Sequence, residues 1–274
     1  MQPKADLLIV KSDCIRALKA LEDDRVSLTI SDPPYQSLER HRAVGTTTRL
    51  KESKASSNPW FEVFKNTRYF SLFDELYRVH CKNTHCYIFC DSETEHVILS
   101  GRNPYDKKLD DELLAVRFEG TDTDREGEPK GLWRAWPPLL WIKTKQEDIE
   151  LEKVSEQHLQ LGMGYHWRRC EERLLFLEKG KRKLNNLGWP NVLFGSRAGK
   201  NDPPTKKPDG VITRLILNSS SVGDVVLDPF AGSGIVGRVA LRHGRRAILI
   251  DINLDNMRWK EWPEVLNKYV EQVG

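Results

Sequence analysis

Four residues, Asp32-Pro33-Pro34-Tyr35, stand close behind the apolar run from Val26 to Ile30. The run predicts a short buried strand, and two successive prolines must end it, because proline has no backbone N–H to donate and fixes its own φ. Open α/β sheets bind their ligands at the carboxyl ends of their strands. The tetrapeptide is therefore predicted to lie at the binding edge of a sheet.

The residue types in the tetrapeptide suit an amino group as substrate. An amine conjugated to a heteroaromatic ring is a poor nucleophile because its lone pair is delocalised into the ring. If the Asp32 carboxylate accepts one N–H and the Pro33 carbonyl accepts the other, the nitrogen becomes more tetrahedral and its lone pair is freed. The Tyr35 ring offers a flat face to a base extruded from a duplex. The alternative is a proline turn that caps a strand, with Tyr35 as packing.

A second motif, Asp-Pro-Phe-Ala-Gly-Ser-Gly at 228–234, follows the strand-like run 225–227. It precedes apolar residues spaced for one helix face, namely Ile235, Val236, Val239 and Ala240. Strand, glycine turn and helix in this order let the backbone approach a cofactor closely. The next strand-like run, 247–250, ends at Asp251, about 20 residues after the glycine turn, where an acidic side chain suits ribose hydroxyls.

The pair of motifs resembles that of the β class of S-adenosylmethionine-dependent DNA amino methyltransferases. In this class the catalytic motif precedes the cofactor motif, a circular permutation of the commoner order. The resemblance implies methyl transfer from S-adenosylmethionine to the exocyclic amine of a base flipped out of double-stranded DNA. It makes Asp32, Pro33, Pro34 and Tyr35 the catalytic residues. Aspartate at position 32 favours adenine N6, and cytosine N4, whose enzymes more often carry Ser-Pro-Pro-Tyr, is the alternative.

The same resemblance assigns cofactor contacts. The glycine motif contributes Asp228, Phe230, Ala231, Gly232, Ser233 and Gly234, and Asp251 would hold the ribose. Asp13, with Cys14 beside it, matches an acidic residue near the adenine amine, although Asp13 can equally be a helix N-cap. Asp32 would lie against the cofactor too. Thr205 and Lys207 belong to a segment similar to the family's His-Pro-Thr-Gln-Lys-Pro patch, in which Pro203 replaces the histidine.

The predicted DNA contacts are basic and aromatic. Net charge is only +3, so the distribution of charge says more than its total. One cluster follows the tetrapeptide (Arg40, Arg42, Arg49, Lys51 and Lys54), and a second follows the Leu174 run (Lys181, Arg182 and Lys183). Both are expected to flank the site and bind phosphates. A stretch that resembles a further family segment adds Tyr165, His166, Arg168 and Arg169. The alternative is solvated loops or a loop packed by its own ion pairs.

The apolar runs predict one Rossmann-like α/β domain over residues 1–274. Seven strand-like runs indicate a mostly parallel sheet with helices on both faces, and the Leu139 and Leu174 runs are expected to form an antiparallel edge hairpin. A helix is predicted around Phe73, Leu76, Tyr77 and His80. Inserts are predicted at about 36–60 (basic, DNA contact), 101–130 (acidic) and 144–165, the last with a short helix.

Other features of the sequence limit the possible functions. Cys81, Cys86 and Cys90 lie near two histidines, but their spacing is poor for zinc and no metal site is predicted. An odd cysteine count favours a reducing cytoplasm, and no apolar run reaches the ~20 residues that span a bilayer. A homodimer is expected by analogy with the family.

Two rival functions remain open at this stage. Residues 232–237 also satisfy Gly-x-Gly-x-x-Gly, which allows a nicotinamide-dependent oxidoreductase. A DNA-binding protein that keeps the fold without the chemistry is the other rival. A second Asp-Pro-Pro, at Asp202, has no apolar strand before it and no aromatic residue after it, and is placed outside the chemistry.

Overall fold

The computed structural model describes residues 6–36, 63–100, 133–146, 153–162, 167–196, 206–257 and 272–273. The predicted inserts at 36–60 and 101–130 fall almost wholly outside these ranges, as do 147–152 and 163–165 of the third insert. Several residues with predicted roles also lie outside the described residues, namely Arg40, Arg42, Arg49, Lys51, Lys54, Tyr165, His166 and Thr205.

Nine strands form a single sheet in the described part of the chain. They are β1 (Leu7–Lys11), β2 (Val26–Ser31), β3 (His80–Cys90), β4 (Arg134–Thr144), β5 (Glu171–Lys179), β6 (Val192–Ser196), β7 (Val225–Asp228), β8 (Arg246–Asp251) and β9 (Gln272–Val273). Their order across the sheet is β6-β4-β5-β3-β2-β7-β8-β1-β9. Every neighbouring pair is parallel except the two that involve β5.

Helices cover both faces of this sheet. They are α1 (Cys14–Ala20), α2 (Tyr69–Val79), α3 (Ser92–Ser100), α4 (Asp209–Ser219) and α5 (Ile235–Arg242). Successive strand residues point to opposite faces, so Leu8 packs with α1 and α2 while its neighbour Leu7 packs with α4 and α5. Each buried leucine or isoleucine contributes about 1.5–3 kcal/mol by leaving water, which fixes the helices against the strands.

All seven predicted strands are present, and the predicted hairpin of the Leu139 and Leu174 strands is confirmed as the antiparallel pair β4 and β5. Two short strands are additional. β6 pairs parallel to β4, so the hairpin lies one strand inside the edge of the sheet, and β9 pairs with β1 at the other side. Cys86 and Cys90 are buried in the core, as expected of small apolar residues on one strand face.

Two local predictions need correction. The predicted helix includes His80, but His80 begins β3, because the backbone turns to an extended conformation there and its ring is hydrogen-bonded to Thr29 and Thr84. The short helix expected between 144 and 160 is, among the described residues, a 3₁₀ turn at Glu156–His158. None of the helices that the structure describes has the length and apolar character needed to cross a membrane.

The reversal of β5 determines which residues meet at the binding edge. Because β5 is antiparallel, its first residues lie beside the last residues of its neighbours: Glu172 is opposite Trp141, and Arg173 is opposite Cys90. The beginning of β5 therefore joins the carboxyl ends of β2, β3, β4, β7 and β8 at one edge of the sheet.

Candidate active site

A cavity of about 560 Å³ opens at this edge. Both sequence motifs line it: Asp32 to Tyr35 on one side and Asp228 to Ser233 on the other. Asp13, Cys14, Lys207 and Asp251 line it as well. Among the described residues with predicted catalytic or cofactor roles, Gly234 alone does not line the cavity, because it is the N-cap of α5 behind the turn.

A hydrogen bond joins the two motifs directly. β2 and β7 are parallel neighbours, so Ser31 at the end of one lies beside Asp228 at the end of the other. The Ser31 hydroxyl donates to Asp228 Oδ1 (2.9 Å), and the Phe230 N–H donates to the same oxygen (3.1 Å). Burial raises the pKa of Asp228 to about 7, although both hydrogen bonds oppose the shift. Residues 197 positions apart in the chain thus meet at one point of the cavity wall.

Two side chains hold the Asp32 carboxylate of the tetrapeptide, one at each oxygen. The Tyr35 hydroxyl donates to Asp32 Oδ1 (2.8 Å), and the Lys207 ammonium lies 2.8 Å from Asp32 Oδ2. The Pro34 carbonyl accepts from the Phe64 N–H (2.8 Å), which fixes the chain after β2. Burial and the Asp32 charge raise the pKa of Tyr35, so its hydroxyl stays protonated and acts as a donor.

A chain of alternating charges continues from Asp32. Lys207 also contacts Glu172 Oε1 (2.6 Å), and Lys143 contacts Glu172 Oε2 (2.9 Å). Burial alone would raise the pKa of Glu172, but the two lysines outweigh it and the pKa is lowered. Burial, helped by the Glu172 charge, raises the pKa of Asp32 against the pull of Lys207. Burial alone would lower the pKa of Lys207, but its two carboxylate partners raise it, so the lysine stays charged.

The glycine turn is shaped by positive φ values at Gly232 (+47°) and Gly234 (+75°), a conformation that glycine adopts without strain. The Gly232 N–H donates to Asp251 Oδ2 (2.7 Å), and the Asn253 N–H donates to Asp251 Oδ1 (2.9 Å). Burial raises the pKa of Asp251. Each carboxylate oxygen can accept more than one hydrogen bond, so Asp251 retains capacity for a ligand hydroxyl.

Both interpretations of Asp13 agree with the structure. Its Oδ1 accepts from the Arg16 N–H (3.1 Å) as the N-cap of α1, and its Oδ2 pairs with Arg68 while the residue lines the cavity. Burial would raise the pKa of Asp13, but the hydrogen bonds from Arg68 and Arg16 lower it. Burial raises the pKa of the neighbouring Cys14 thiol to about 12.

An aromatic wall completes the cavity. The Phe64 ring packs edge-on against Phe230 and against Tyr69, each with centroids 5.0 Å apart, and the Arg68 guanidinium lies 4.8 Å from the Phe64 centroid. Sequence reasoning missed Phe64 and Arg68, and no motif marks them. It also missed Lys143 and Glu172. For Glu172 a signal exists, because the acidic pair Glu171 and Glu172 opens a strand of the predicted antiparallel hairpin.

The predicted DNA contacts divide into two groups. Arg169 lines the cavity, and the Arg168 Nε donates to the Gly162 carbonyl (2.8 Å) beside it. Lys181, Arg182 and Lys183 do not flank the site, which corrects the expectation. They follow the end of β5, and because β5 is antiparallel this end lies at the opposite edge of the sheet, where Lys179 Nζ donates to the Tyr77 carbonyl (2.8 Å).

Fold and site together define a class: an α/β protein with one reversed strand, in which a glycine turn and the Asp-Pro-Pro-Tyr tetrapeptide share a cavity. Residues 26–259 match the N6_N4_Mtase family, described as DNA methylase. The chain belongs to this family. The membership decides against the nicotinamide-dependent oxidoreductase.

Individual relatives agree with the family. The Type II methyltransferase M.HpaI of Haemophilus parainfluenzae is 26% identical over 256 residues, which cover 90% of this chain and 71% of that protein. DNA adenine methyltransferase YhdJ of Escherichia coli K12 is 51% identical over 55 residues, 20% of this chain and 19% of that protein.

Solved structures share the fold. TTHA0409 of Thermus thermophilus, a DNA modification methylase by its description, matches with a TM-score of 0.55 at 19% identity, over 98% of this chain and 100% of that one. The PvuII DNA methyltransferase, which is cytosine-N4-specific, matches with a TM-score of 0.53 at 13% identity, over 92% of this chain and 84% of that one.

Proposed function

We propose that this protein transfers a methyl group from S-adenosylmethionine to the exocyclic amine of a base flipped out of double-stranded DNA, and that the target is adenine N6. One observation carries the proposal: the Asp-Pro-Pro-Tyr and glycine motifs line the same cavity, joined by the hydrogen bond between Ser31 and Asp228. An amine-binding group and a cofactor-binding turn can thus act on one substrate.

The residues of the cavity fit the cofactor. Phe230 offers an apolar face, the turn at Gly232 exposes backbone without a side chain, and Asp251 and Asp13 present carboxylates for hydroxyl and amino groups. S-adenosylmethionine, when bound, supplies the methyl group: the amine lone pair takes the methyl carbon, the electrons of the carbon–sulfur bond stay on sulfur, and the nitrogen then releases one proton to solvent.

The protein binds and orients the amine. An ionised Asp32 keeps free lone pairs beside its contacts with Tyr35 and Lys207, and one of these can accept an amine N–H. The Pro33 carbonyl is proposed as the second acceptor, and the Tyr35 ring as the surface on which the base stacks. Arg168 and Arg169, beside the cavity, are proposed to contact the DNA backbone.

Two arguments favour adenine N6 over cytosine N4. Position 32 is aspartate rather than serine, and the short segment shared with YhdJ is 51% identical to an adenine methyltransferase. The fold does not discriminate, since a cytosine-N4-specific enzyme shares it. The expected homodimer stays a prediction, which sedimentation equilibrium would test.

The test is transfer of tritiated methyl groups from S-adenosylmethionine to unmethylated plasmid DNA, followed by nucleoside analysis of the product. Asp32→Asn keeps the shape of the side chain and removes its charge, so we expect incorporation to fall on the order of 10²–10³-fold. Asp23→Asn, in the turn that precedes β2, is the control and should retain wild-type activity.

Three outcomes are informative. Equal incorporation by wild type and Asp32→Asn would remove the mechanism. DNA binding without incorporation by either would identify a DNA-binding protein without the chemistry. N4-methylcytosine in place of N6-methyladenine would keep the mechanism and change the target.

A further inference from the structure

Glu172 occupies a position that the amine chemistry does not by itself explain. Its carboxylate lines the cavity, is only 14% exposed, and contacts three groups at once. Lys207 Nζ lies 2.6 Å from Oε1, the Tyr35 hydroxyl lies 3.2 Å from the same oxygen, and Lys143 Nζ lies 2.9 Å from Oε2. Two of these three groups, Lys207 and Tyr35, are also the two that hold Asp32.

The contacts make Glu172 a second anchor for the groups that hold Asp32. Lys207 lies between the two carboxylates, 2.8 Å from Asp32 and 2.6 Å from Glu172, and its own side chain is 10% exposed. With a single carboxylate partner, the ammonium would bind Asp32 alone and compete with an incoming amine for the same oxygens. Sharing the ammonium weakens its hold on Asp32 without leaving a buried charge unpaired.

We propose that Glu172 is a positioning residue for methyl transfer: it holds Lys207, and through this lysine it orients the Asp32 carboxylate that receives the amine. The inference rests on the proposed function and extends it to a residue outside both motifs. Glu172 reaches the site because β5 is antiparallel, so its beginning lies beside the carboxyl ends of the parallel strands.

The charged and ionisable groups around Asp32 determine whether the pKa of Asp32 rises or falls when a neighbouring charge is removed. They come from several segments: Tyr35 after β2, Cys90 at the end of β3, Lys143 and Glu172 on β4 and β5, Lys207 before α4, and Asp228 at the end of β7. The Glu172 charge raises the pKa of Asp32, and Lys207 lowers it. Removing the Glu172 charge should therefore lower the pKa of Asp32, and removing the Lys143 charge should raise it.

The experiment measures single-turnover methyl transfer to unmethylated plasmid DNA as a function of pH. The acid limb of the pH–rate profile contains the ionisation of Asp32 and that of Asp228, whose pKa is about 7, so each variant is compared with wild type. A difference between Glu172 variants and wild type is assigned to Asp32, because the Glu172 charge acts on the pKa of Asp32. In Glu172→Gln the limb should move down by about one pH unit, and the plateau rate should fall about tenfold because Lys207 now binds Asp32 alone. In Lys143→Met the limb should move up. Glu172→Asp, which keeps the charge, should restore the wild-type limb.

Glu178→Gln is the matched control, because Glu178 is a buried carboxylate on the same strand that does not line the cavity. The acid limb of its pH–rate profile and its plateau rate should equal those of wild type. An equal fall at every pH in Glu172→Gln, without movement of the limb, would mark a purely structural role and overturn the inference. So would a profile identical to that of wild type.

The remaining outcomes separate this inference from the proposed function. A wild-type protein that transfers no methyl group contradicts the proposed function itself. Transfer by wild type but not by Asp32→Asn, with Glu172→Gln unaffected, overturns only the role of Glu172. If Glu172→Gln does not fold, Lys143→Met decides alone: an upward movement of its acid limb supports the inference, and an unmoved limb overturns it.

Discussion

The two edges of the sheet differ in the ionisable side chains that they bury. At the carboxyl edge, Lys207 lies between the carboxyl groups of Asp32 and Glu172, and all three residues line a cavity. At the opposite edge, His80 and His85 are neutral, since burial lowers the pKa of His80 to about 3 and that of His85 to about 4. Neither histidine lines the cavity. Paired charges beside open space prepare a site for a ligand, whereas neutral hydrogen-bonded rings stabilise a closed part of the core.

The largest effect should follow from Lys207→Met, which leaves two facing carboxylates without their shared cation. We expect the free energy of unfolding to fall by about 3 kcal/mol at pH 7.5, because removal of one partner leaves uncompensated buried charge. Acidification should reduce the loss, since the carboxylates can then take up protons in the folded state. Urea unfolding at pH 7.5 and pH 5.5 measures both quantities.

Lys11→Met, which removes an exposed lysine at the end of β1, is the control and should change stability by less than about 0.5 kcal/mol. A loss in Lys207→Met that is the same at both pH values would mean that the carboxylates are not coupled to the lysine. The contrast between the carboxylate–lysine cluster at the carboxyl edge and the neutral histidines at the opposite edge would then fail.

At the opposite edge, His80→Gln tests the neutral network. The folded-state pKa of His80 lies below its unfolded value, so the unfolded chain binds more protons as the pH falls and the folded state loses stability. Between pH 7 and pH 5 this histidine should cost about 2 kcal/mol. His80→Gln should therefore be less stable than wild type at pH 7 but lose about 2 kcal/mol less on acidification. Parallel stability curves for the two proteins would contradict a buried neutral ring.

At the carboxyl edge, Asp228→Asn tests a dependence of stability on pH that is opposite to that of His80. Burial raises the folded-state pKa of Asp228 to about 7, above its unfolded value, so its destabilising effect is greatest above pH 7 and is lost as the pH falls. The wild type should gain about 2 kcal/mol from this group between pH 7 and pH 5. Asp228→Asn should not gain this stability on acidification, while its amide oxygen still accepts hydrogen bonds from Ser31 and Phe230. Chemical unfolding between pH 7 and pH 5 measures the difference. An equal slope of the free energy of unfolding against pH in both proteins would mean that the pKa of Asp228 is not near 7.

The contrast between the edges also explains what the sequence could predict. Runs such as Val225–Asp228 are recognisable as strands because consecutive apolar residues between turn residues are typical of a buried strand. The short strand β6, five residues long and with Gly195 inside it, lacks that signal. It forms because β4 offers a free edge, which is a tertiary property.

The site was predictable where its residues follow parallel strands, and not where strand direction decides. Asp32 and Asp228 each stand at the end of an apolar run, so the parallel sheet brings them together. Glu172 lies near the beginning of β5 and Lys183 follows its end. The predicted hairpin leaves open which of its two strands runs against the rest of the sheet, so the edge at which each residue lies was not specified. Phe64 and Arg68 reach the cavity from a helix entrance, and no local pattern specifies that approach.

The smallest expected effect concerns DNA binding, and it tests the two edges against each other. Arg169 lines the cavity and its side chain is 65% exposed, so Arg169→Ala should remove about one phosphate contact. Affinity for duplex DNA should fall a few-fold, and the slope of log affinity against log salt should decrease by about one. Fluorescence anisotropy with a labelled duplex, over a salt series, measures both.

Lys183→Ala removes a similar charge at the opposite edge, away from the cavity, and should leave affinity and salt slope unchanged. If Lys183→Ala matched Arg169→Ala, the phosphate path would extend around the sheet to the end of β5. The opposite edge would then be a DNA surface as well as a stabilising one, because electrostatic contacts act at the sites where phosphates pass and not only beside the flipped base. An unchanged Lys183→Ala, by contrast, confines the DNA to the edge where β5 begins.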